Sequence, residues 1–184
     1  MLTVFTIGHS NHPLERFLEL LARHRIERLA DIRRFPGSRK HPHFNRENLE
    51  ASLAATNISY EWIEELGGRR KASAESTSPN QGLRNESFRN YADYMLTPAF
   101  QQGIDKLSAL AARPTAIMCA EGLWWQCHRR LVSDYLLANG LCVEHIMPNG
   151  ETKPHAVTPE ARTTAGRVTY PAAKTLFESD DSIT

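Results

Sequence analysis

The segment 118–130, with the sequence MCAEGLWWQCHRR, concentrates reactive side chains within thirteen residues. It holds two cysteines, a glutamate, two tryptophans, a histidine and two arginines. An apolar run precedes the segment and a helical pattern follows it, so a strand-to-helix turn is predicted here. Carboxylate, thiol and metal chemistry all use residue types found in this turn, and each predicts a different kind of site.

Two carboxylates form the first candidate set. Asp31 ends the second predicted strand and Glu121 ends the fourth. Acid–base and glycosyl chemistry is often divided between two carboxylates in unequal environments, so both residues are candidate catalytic groups. The alternative is structural ion pairing. In that case Asp31 would pair with Arg33 or Arg129, and Glu121 would pair with Arg34.

Cysteines and histidines of the same turn form the second set. Cys127 is a candidate nucleophile with His128 beside it, because a helix N-terminus and nearby arginines lower a thiol pKa. A small buried cysteine in the core is the alternative. Zinc binding would use Cys119, Cys127, His128, Cys142 and His145. No two cysteines have the Cys-x2-Cys spacing of common zinc sites, so we expect neither a metal nor another cofactor.

The basic residues are unevenly placed along a chain with a net charge of only +1. This balance gives no global field toward nucleic acid or membrane. Nine of the 22 lysines and arginines nevertheless fall in three clusters behind predicted strands: Arg33, Arg34, Arg39 and Lys40; Arg69, Arg70 and Lys71; Arg129 and Arg130. Residues 127–130 are predicted in the first turn of a helix, where free N–H groups attract anions. We expect a phosphate site, with solvated surface as the alternative.

Aromatic residues near these clusters predict stacking. Trp124 and Trp125 are adjacent and cannot both point inward in regular structure, so at least one is expected to line a cleft and stack on a base. Phe44 is a candidate to fill the gap that a flipped base leaves in a duplex. All three could instead belong to the core.

The pattern of the whole chain predicts how these residues are positioned. Strands are predicted near residues 4–9, 26–33, 59–68, 115–121 and 141–147, and helices at 11–26, 45–57, 87–96, 97–113 and 127–140. Alternation of this kind predicts a single Rossmann-like α/β domain with a mainly parallel five-stranded sheet flanked by helices. Ligands bind such sheets at the carboxyl ends of the strands, so we expect the first and fourth strands to be neighbours there.

Six ordered motifs resemble the DUF488 family, a set of domains without a described reaction: TIGHS, DIRRFPGS, NISYEWIEELGG, YADYM, MCAEGLWWQCHRRLV and HIMPNGETKPHAVT. The resemblance covers roughly residues 3–158. It implies a DUF488-like α/β domain over 1–158, followed by a partly irregular extension over 159–184. It also implies the signature residues His9, Ser10, Asp31, Arg33, Pro36, Ser38, Cys119, Glu121, Cys127, His128 and Arg129. Trp124 departs from the pattern, which has proline at that position.

Together these features predict an enzyme that acts on nucleic acid, DNA in particular, or on a nucleotide. The leading hypothesis is hydrolysis of an N-glycosidic bond of the base-excision type. A non-catalytic nucleotide- or nucleic-acid-binding regulator and a thiol- or metal-dependent enzyme are the alternatives. The expected phosphate- and substrate-binding residues are His9, Ser10, Arg33, Arg34, Ser38, Arg39, Phe44, Arg69, Trp124, Trp125, Arg129 and Arg130.

The cellular compartment and the absence of a membrane partner are predicted from features that the sequence lacks. No apolar run approaches the length of a membrane span, and three cysteines make no compact disulfide framework. We therefore expect a reducing cytoplasm and no membrane partner. The pattern does not predict an oligomeric state.

Overall fold

The computed structural model describes residues 2–72 and 77–173, which fold as five helices around a mixed sheet. The helices are α1 (Leu14–Arg23), α2 (Arg46–Ala54), α3 (Glu86–Tyr94), α4 (Pro98–Leu110) and α5 (Arg129–Ala138). The strands are β1 (Thr3–Gly8), β2 (Arg28–Asp31), β3 (Ser59–Trp62), β4 (Thr115–Cys119), β5 (Cys142–Ile146), β6 (Thr152–Pro154), β7 (Arg162–Thr164) and β8 (Arg167–Thr169). Within the described ranges, no helix has the length and apolar composition needed to cross a membrane.

The central sheet has the strand order β3-β2-β4-β1-β5-β6. The five predicted strands pair in parallel, which confirms the mainly parallel α/β fold. β6 adds a sixth, antiparallel strand at the edge. The sequence analysis missed it because it has only three residues, all exposed, and carries a proline, which an edge strand tolerates.

Helices cover both faces of the sheet, as the alternation of strand residues shows. Ala116 and Met118 of β4 belong to the core under α1 and α2. Ile117 and Cys119 belong to the core under α3, α4 and α5. Successive side chains of a strand point to opposite faces, so these two cores lie on opposite sides of one sheet.

β4 lies between β2 and β1, as predicted for the first and fourth strands of the chain. Gly8 is the register partner of Cys119, and the His9 N–H donates to the Cys119 carbonyl at 3.0 Å. A side chain at position 8 would collide with the carbonyl oxygen of Glu121. Glycine therefore allows the chain that follows β4 to cross directly over the end of β1.

Several predicted helix boundaries can be compared with their caps. Thr97 caps α4 through Phe100 N–H, with Pro98 at the first helical position, as predicted. Gly140 follows α5 with a φ of 84°, which confirms the predicted stop. Asn11 is not the cap of α1, because that position belongs to Pro13. Asn45 occupies the cap position of α2, but its side chain accepts from the Ser38 N–H at 2.6 Å instead.

Part of the C-terminal extension packs on the domain. β7 and β8 form a hairpin, and Tyr170 after it is fully buried. The Tyr170 hydroxyl donates to Asp134 of α5 at 2.8 Å, and its carbonyl accepts from Gly82 N–H. The predicted surface loop over 69–87 is irregular up to α3 where it is described, and its residues 73–76 lie outside the described residues, as do residues 174–184.

Candidate functional site

A cavity of ≈ 670 Å³ opens at the carboxyl ends of β1, β2 and β4. It is lined by His9, Ser10, Arg33, Arg34, Phe35, Gly37, Ser38, Lys40, His41, Gly68, Arg69, Ser87, Phe88, Tyr91, Cys119, Ala120, Glu121, Gln126, Cys127 and His128. This is the edge at which parallel sheets bind ligands, and it is the edge predicted from the strand ends.

The cavity brings together nine of the sixteen predicted site residues: His9, Ser10, Arg33, Arg34, Ser38, Arg69, Glu121, Cys127 and His128. Seven others do not line it: Asp31, Arg39, Phe44, Trp124, Trp125, Arg129 and Arg130. The contacts of both groups decide which chemistry the site can support.

Two cysteines meet at the cavity wall. Cys119 ends β4 and Cys127 precedes α5, and their sulfurs lie 3.0 Å apart. Both side chains are buried, and both are among the residues that line the cavity. The strand-to-helix turn therefore folds back on itself and places a pair of thiols, eight residues apart in sequence, in direct contact.

Arg129 lies behind Cys127 and is almost completely buried, with 1 % of its surface exposed. Its Nε donates to the Cys127 sulfur at 3.2 Å, and its Nη2 donates to the carbonyl of Glu121 at 2.5 Å. Across the described part of the chain, no carboxylate forms an ion pair with this guanidinium. A buried charge requires a counter-charge, and a Cys127 thiolate is the group in contact that can supply one.

The ionisation of the two thiols follows from these contacts. Burial by itself raises the pKa of Cys127, but the Cys119 S–H and the charge and N–H groups of Arg129 favour the thiolate more strongly, and the pKa falls to about 6. Burial and the hydrogen bond to Cys127 raise the pKa of Cys119 well above its usual value. At neutral pH the pair is therefore a Cys127 thiolate that accepts a hydrogen bond from a Cys119 thiol.

The N-terminus of α5 supports the same assignment. Residues 127–130 lie at the helix start, as predicted, with His128 as the cap. The Arg129 N–H points at the Cys127 sulfur at 3.4 Å, and the Arg130 N–H donates to the Cys127 carbonyl. The Arg129 N–H and the helix dipole thus act on the Cys127 sulfur, which is one of the two roles predicted for this helix start; the other is a phosphate site.

Asp31 has a different environment from the one expected of a catalytic carboxylate. It is fully buried, and its carboxylate accepts from Arg33 Nε at 2.9 Å and from Arg33 Nη2 at 2.6 Å. The Tyr60 hydroxyl donates to the same carboxylate at 2.7 Å. This arrangement matches the structural alternative, in which Asp31 pairs with Arg33.

Glu121 is exposed and lines the cavity. The alternative of pairing with Arg34 is not observed, because Arg34 binds Glu64 at 2.7 Å. Among the described residues, no side chain donates a hydrogen bond to the Glu121 carboxylate. Of the two predicted catalytic carboxylate residues, Glu121 is therefore the one that lines the cavity.

Two histidines of the cavity, the buried His9 and the half-buried His128, are neutral at physiological pH. His9 bonds the Ser10 carbonyl through Nδ1 at 2.9 Å, so its Nε2 is left to accept from Arg33 at 3.4 Å. His128 Nε2 donates to the Ile32 carbonyl at 2.9 Å. Burial above all lowers the pKa of each histidine to about 4. Because both rings are neutral, the charged groups near them are the Arg33–Asp31 pair and the Cys127 sulfur with Arg129.

The mouth of the cavity is basic and aromatic. Lys40 and Arg69 are exposed, and neither forms an ion pair within the described residues. Phe35 is 68 % exposed, the largest fraction among the exposed large hydrophobic residues. Arg69 and Ser10 have positive φ angles of 56° and 47°, which cost energy for residues with a side chain. Strained backbone at a cavity wall is typical of functional sites.

The two tryptophans lie outside this cavity. Trp124 is stacked on His145 with ring centroids 4.1 Å apart, and its indole N–H is buried without a hydrogen-bond partner. Trp125 is 42 % exposed. One ring therefore points inward and the other outward, and the phenylalanine and tyrosine residues that line the cavity are Phe35, Phe88 and Tyr91.

The remaining residues outside the cavity have contacts of their own. Phe44 is fully buried and stacks on His9 with centroids 4.4 Å apart, so it belongs to the core alternative. Arg39 is exposed next to the mouth residue Lys40. Arg130 donates to the Thr158 hydroxyl at 3.0 Å and pairs with Glu160, so it fastens the C-terminal segment to α5.

Sequence reasoning did not assign Phe35 or the aromatic pair Phe88 and Tyr91 to the site. An aromatic residue between two arginines and a proline in a polar loop was a signal for Phe35. The helical pattern of α3 pointed to the core for the other two, and Tyr91 is indeed buried as well as adjacent to the cavity. Within the described ranges, no group of three or more His, Cys, Asp or Glu residues could hold a metal ion.

Comparison with known proteins returns one family. The model of "Domain of unknown function DUF488" matches residues 13–136, a stretch that runs from just before α1 into α5. No curated protein and no solved structure matches the chain.

Proposed function

The chain belongs to the DUF488 family, and from that premise we propose that it is a cysteine-dependent enzyme acting on a phosphate-bearing nucleotide or nucleic acid. The family description names no reaction, so the proposal rests on the site. The observation that carries it is the buried Arg129 guanidinium, whose Nε lies 3.2 Å from the Cys127 sulfur at the cavity wall. An arginine placed in this way stabilises a thiolate, which is the reactive form of cysteine.

Cys127 is the nucleophile in this scheme. Its sulfur lone pair forms a bond to the electrophilic atom of the substrate, and the leaving group departs with its own bonding electrons. Water then cleaves the covalent intermediate and restores the thiolate. Glu121 lines the same cavity and is the group that accepts the proton of this water.

The mouth of the cavity supports an anionic substrate with a planar ring. Lys40 and Arg69 provide positive charges that no carboxylate of the described chain neutralises. Phe35 offers an exposed aromatic face beside Arg34, whose guanidinium carbon lies 6.0 Å from the ring centroid. Cationic groups next to an exposed aromatic ring are a common combination for binding a phosphate and stacking a base.

N-glycosidic bond hydrolysis is the second candidate, and the position of Glu121 favours it. Glu121 lines the cavity, whereas the Asp31 carboxylate is bound by Arg33 and Tyr60. In such a reaction Glu121 alone would activate water or stabilise the oxocarbenium ion. Glycosidases usually use two carboxylates, and this site departs from that arrangement because the second carboxylate, Asp31, is already bound by Arg33 and Tyr60.

The experiment compares Cys127→Ser and Glu121→Gln with the wild-type protein and with Cys142→Ser. Cys142 lies at the amino end of β5, away from the cavity, and so provides a matched cysteine control. Each protein is incubated with a panel of nucleotides and of intact and damaged oligonucleotides, and the products are separated and identified. We expect Cys127→Ser to abolish turnover and Cys142→Ser to retain it.

Turnover that survives in Cys127→Ser but is lost in Glu121→Gln would replace the lead proposal with the second candidate. Binding without turnover in the wild-type protein would instead favour a non-catalytic regulator.

Binding provides a separate test of the substrate class. Short single- and double-stranded oligonucleotides are titrated at several salt concentrations against wild type, Arg69→Ala and the control Arg16→Ala. If the mouth contacts phosphates, log affinity should fall with log salt by about 0.7 to 0.9 per phosphate contacted. Arg69→Ala should weaken binding about tenfold or more, as expected for loss of a charged hydrogen bond. Equal affinity in Arg69→Ala and Arg16→Ala would contradict a phosphate site at the mouth.

A further inference from the structure

Cys119 has no role in the scheme above beyond its hydrogen bond, yet its position is unusual. Its sulfur lies 3.0 Å from the nucleophilic sulfur of Cys127, and it is only 2 % exposed. A nucleophile needs one activated thiol. A second thiol held in contact with it adds a chemistry that the first cannot perform alone.

We infer that Cys119 is a resolving thiol, which closes a disulfide with Cys127 after a hydroperoxide has oxidised Cys127. The inference rests on the thiolate of the proposed function but not on its nucleic-acid substrate. It makes the site a dithiol that is reversibly inactivated by oxidation.

The first step oxidises Cys127. The thiolate sulfur attacks the hydroperoxide oxygen that carries the hydrogen atom, and the O–O bond breaks. The alkoxide or hydroxide that leaves takes up a proton. Cys127 loses two electrons and becomes a sulfenic acid, while the hydroperoxide is reduced to an alcohol or water. The cavity of ≈ 670 Å³ is large enough to admit a small hydroperoxide to the sulfur at its wall.

The second step uses Cys119. Its sulfur attacks the Cys127 sulfur, the S–S bond forms, and the sulfenic oxygen leaves as hydroxide. The proton released by the Cys119 thiol converts that hydroxide to water, so atoms and charge balance. The two sulfurs need to approach by only about 1 Å to reach bonding distance. Reduction by a thiol restores both groups.

The structure separates the two candidate resolving cysteines clearly. Cys119 is the register partner of Gly8 at the carboxyl end of β1, whereas Cys142 is the register partner of Thr3 at the amino end of the same strand. Five residues of strand separate these positions by about 16 Å. Only Cys119 can reach Cys127 without rearrangement of the sheet, and Cys142→Ser is therefore a suitable background for the test.

The test uses the full chain carrying Cys142→Ser, fully reduced and then treated with hydrogen peroxide. We expect the intact mass to fall by about 2 Da, for the loss of two hydrogens, with a Cys119–Cys127 cross-link in the peptide map. A thiol reductant should reverse the change. When Cys119→Ser is added, the sulfenic acid should persist and be captured by dimedone, because no resolving thiol remains.

A second readout separates the chemistry of Cys119 from a merely structural role. The rate of Cys127 alkylation by iodoacetamide is measured against pH for Cys119, Cys119→Ser and Cys119→Ala. Serine keeps a hydrogen-bond donor and should leave the midpoint nearly unchanged, whereas alanine should move it to higher pH. The Cys119→Ser variant thus loses disulfide formation but keeps the hydrogen bond that stabilises the thiolate. If Cys119 served only in packing, the two effects would not separate in this way.

A stable sulfenic acid in the protein that retains both cysteines would overturn the inference, as would an equal loss of mass in the Cys119→Ser variant. Neither result would affect the substrate reaction of Cys127. Conversely, a disulfide that forms as described in a protein without nucleic-acid turnover would leave the inference standing and reject the proposed function.

Discussion

Arg33 and Arg129 are two buried arginines at the same edge of the sheet, and they differ in what balances their charge. Arg33 is 5 % exposed and binds the Asp31 carboxylate through Nε and Nη2. Arg129 is 1 % exposed and binds a sulfur and main-chain carbonyls. One guanidinium has a permanent anion beside it, and the other has a group that must ionise to become one.

This difference separates structure from reactivity. The Asp31–Arg33 pair joins two buried side chains of opposite charge and stabilises the end of β2. A thiol is mostly protonated when it stands alone, so Arg129 changes the state of Cys127. A buried guanidinium therefore stabilises the end of β2 at one position and favours a thiolate at the other.

The largest effect is expected when the ion pair between Asp31 and Arg33 is broken. Asp31→Asn removes the counter-charge of Arg33 and leaves a buried guanidinium unpaired. We expect the free energy of unfolding to fall by about 3–5 kcal/mol, measured by urea denaturation at pH 7. A loss below about 1 kcal/mol would mean that Arg33 can reach solvent, and the contrast between the two arginines would then be lost.

Cys127→Ser removes the thiolate beside Arg129. We expect the free energy of unfolding to fall by about 1–3 kcal/mol at pH 7. The pKa of Cys127 in the folded protein, about 6, lies below the ordinary 9.0. The unfolded chain therefore binds the additional proton between these values. The stability that the thiolate contributes is complete above about pH 9 and is lost as the pH falls through about 6.

The measurement that checks this is urea denaturation of wild type and Cys127→Ser at several pH values. The difference between the two proteins should grow by up to about 1.4 kcal/mol per pH unit between pH 6 and pH 9. A difference that stays constant over this range would show that Cys127 remains a neutral thiol beside Arg129.

Tyr60→Phe is expected to have a smaller effect, and it tests how much the tyrosine hydroxyl contributes to holding the Asp31 carboxylate. The Tyr60 hydroxyl donates to Asp31 at 2.7 Å, but its removal leaves the bonds from Arg33 in place. We expect a loss of about 1 kcal/mol in the unfolding free energy. If Tyr60→Phe proved as damaging as Asp31→Asn, the tyrosine rather than the arginine would be the main partner of the carboxylate.

The smallest effect is expected for an arginine pair at the surface of the same edge. Arg34 and Glu64 lie 2.7 Å apart with side chains that are 33 % and 48 % exposed. Solvent screens such a pair, so Glu64→Gln should change the unfolding free energy by less than about 1 kcal/mol. A thermal or urea unfolding curve that shifts as far as that of Asp31→Asn would show that burial is not what distinguishes the pairs.

The architecture was accessible from local patterns. Apolar runs and helical periodicity located the five parallel strands and five helices, and the adjacency of β1 and β4 followed from motifs at their ends. Short elements were missed, because β6, β7 and β8 each have only three residues, and those of β6 and β7 are all exposed. Three residues are too few to form a recognisable alternation, and their pairing depends on partners elsewhere in the chain.

The strand-end residues predicted to form a site do line one cavity, but their pairing within it was not predicted. Residues at strand ends converge in one cavity because parallel strands present their carboxyl ends at a common edge. Which arginine would face which anion depended on side-chain directions within that edge. The sequence analysis left Arg33 and Arg129 as equal candidates for Asp31, and the tertiary structure assigns Arg33.

The sequence by itself thus determined the α/β fold, the edge of the sheet that holds the cavity and the residue types gathered there. These depend on periodicity and on chain order, which are properties of neighbouring residues. The tertiary structure alone decided that Cys119 and Cys127 touch, that no carboxylate in the described part of the chain pairs with Arg129, and that Asp31 is bound by Arg33. Burial and contact arise between segments that are distant in sequence, and they determine which of these groups is ionised and reactive.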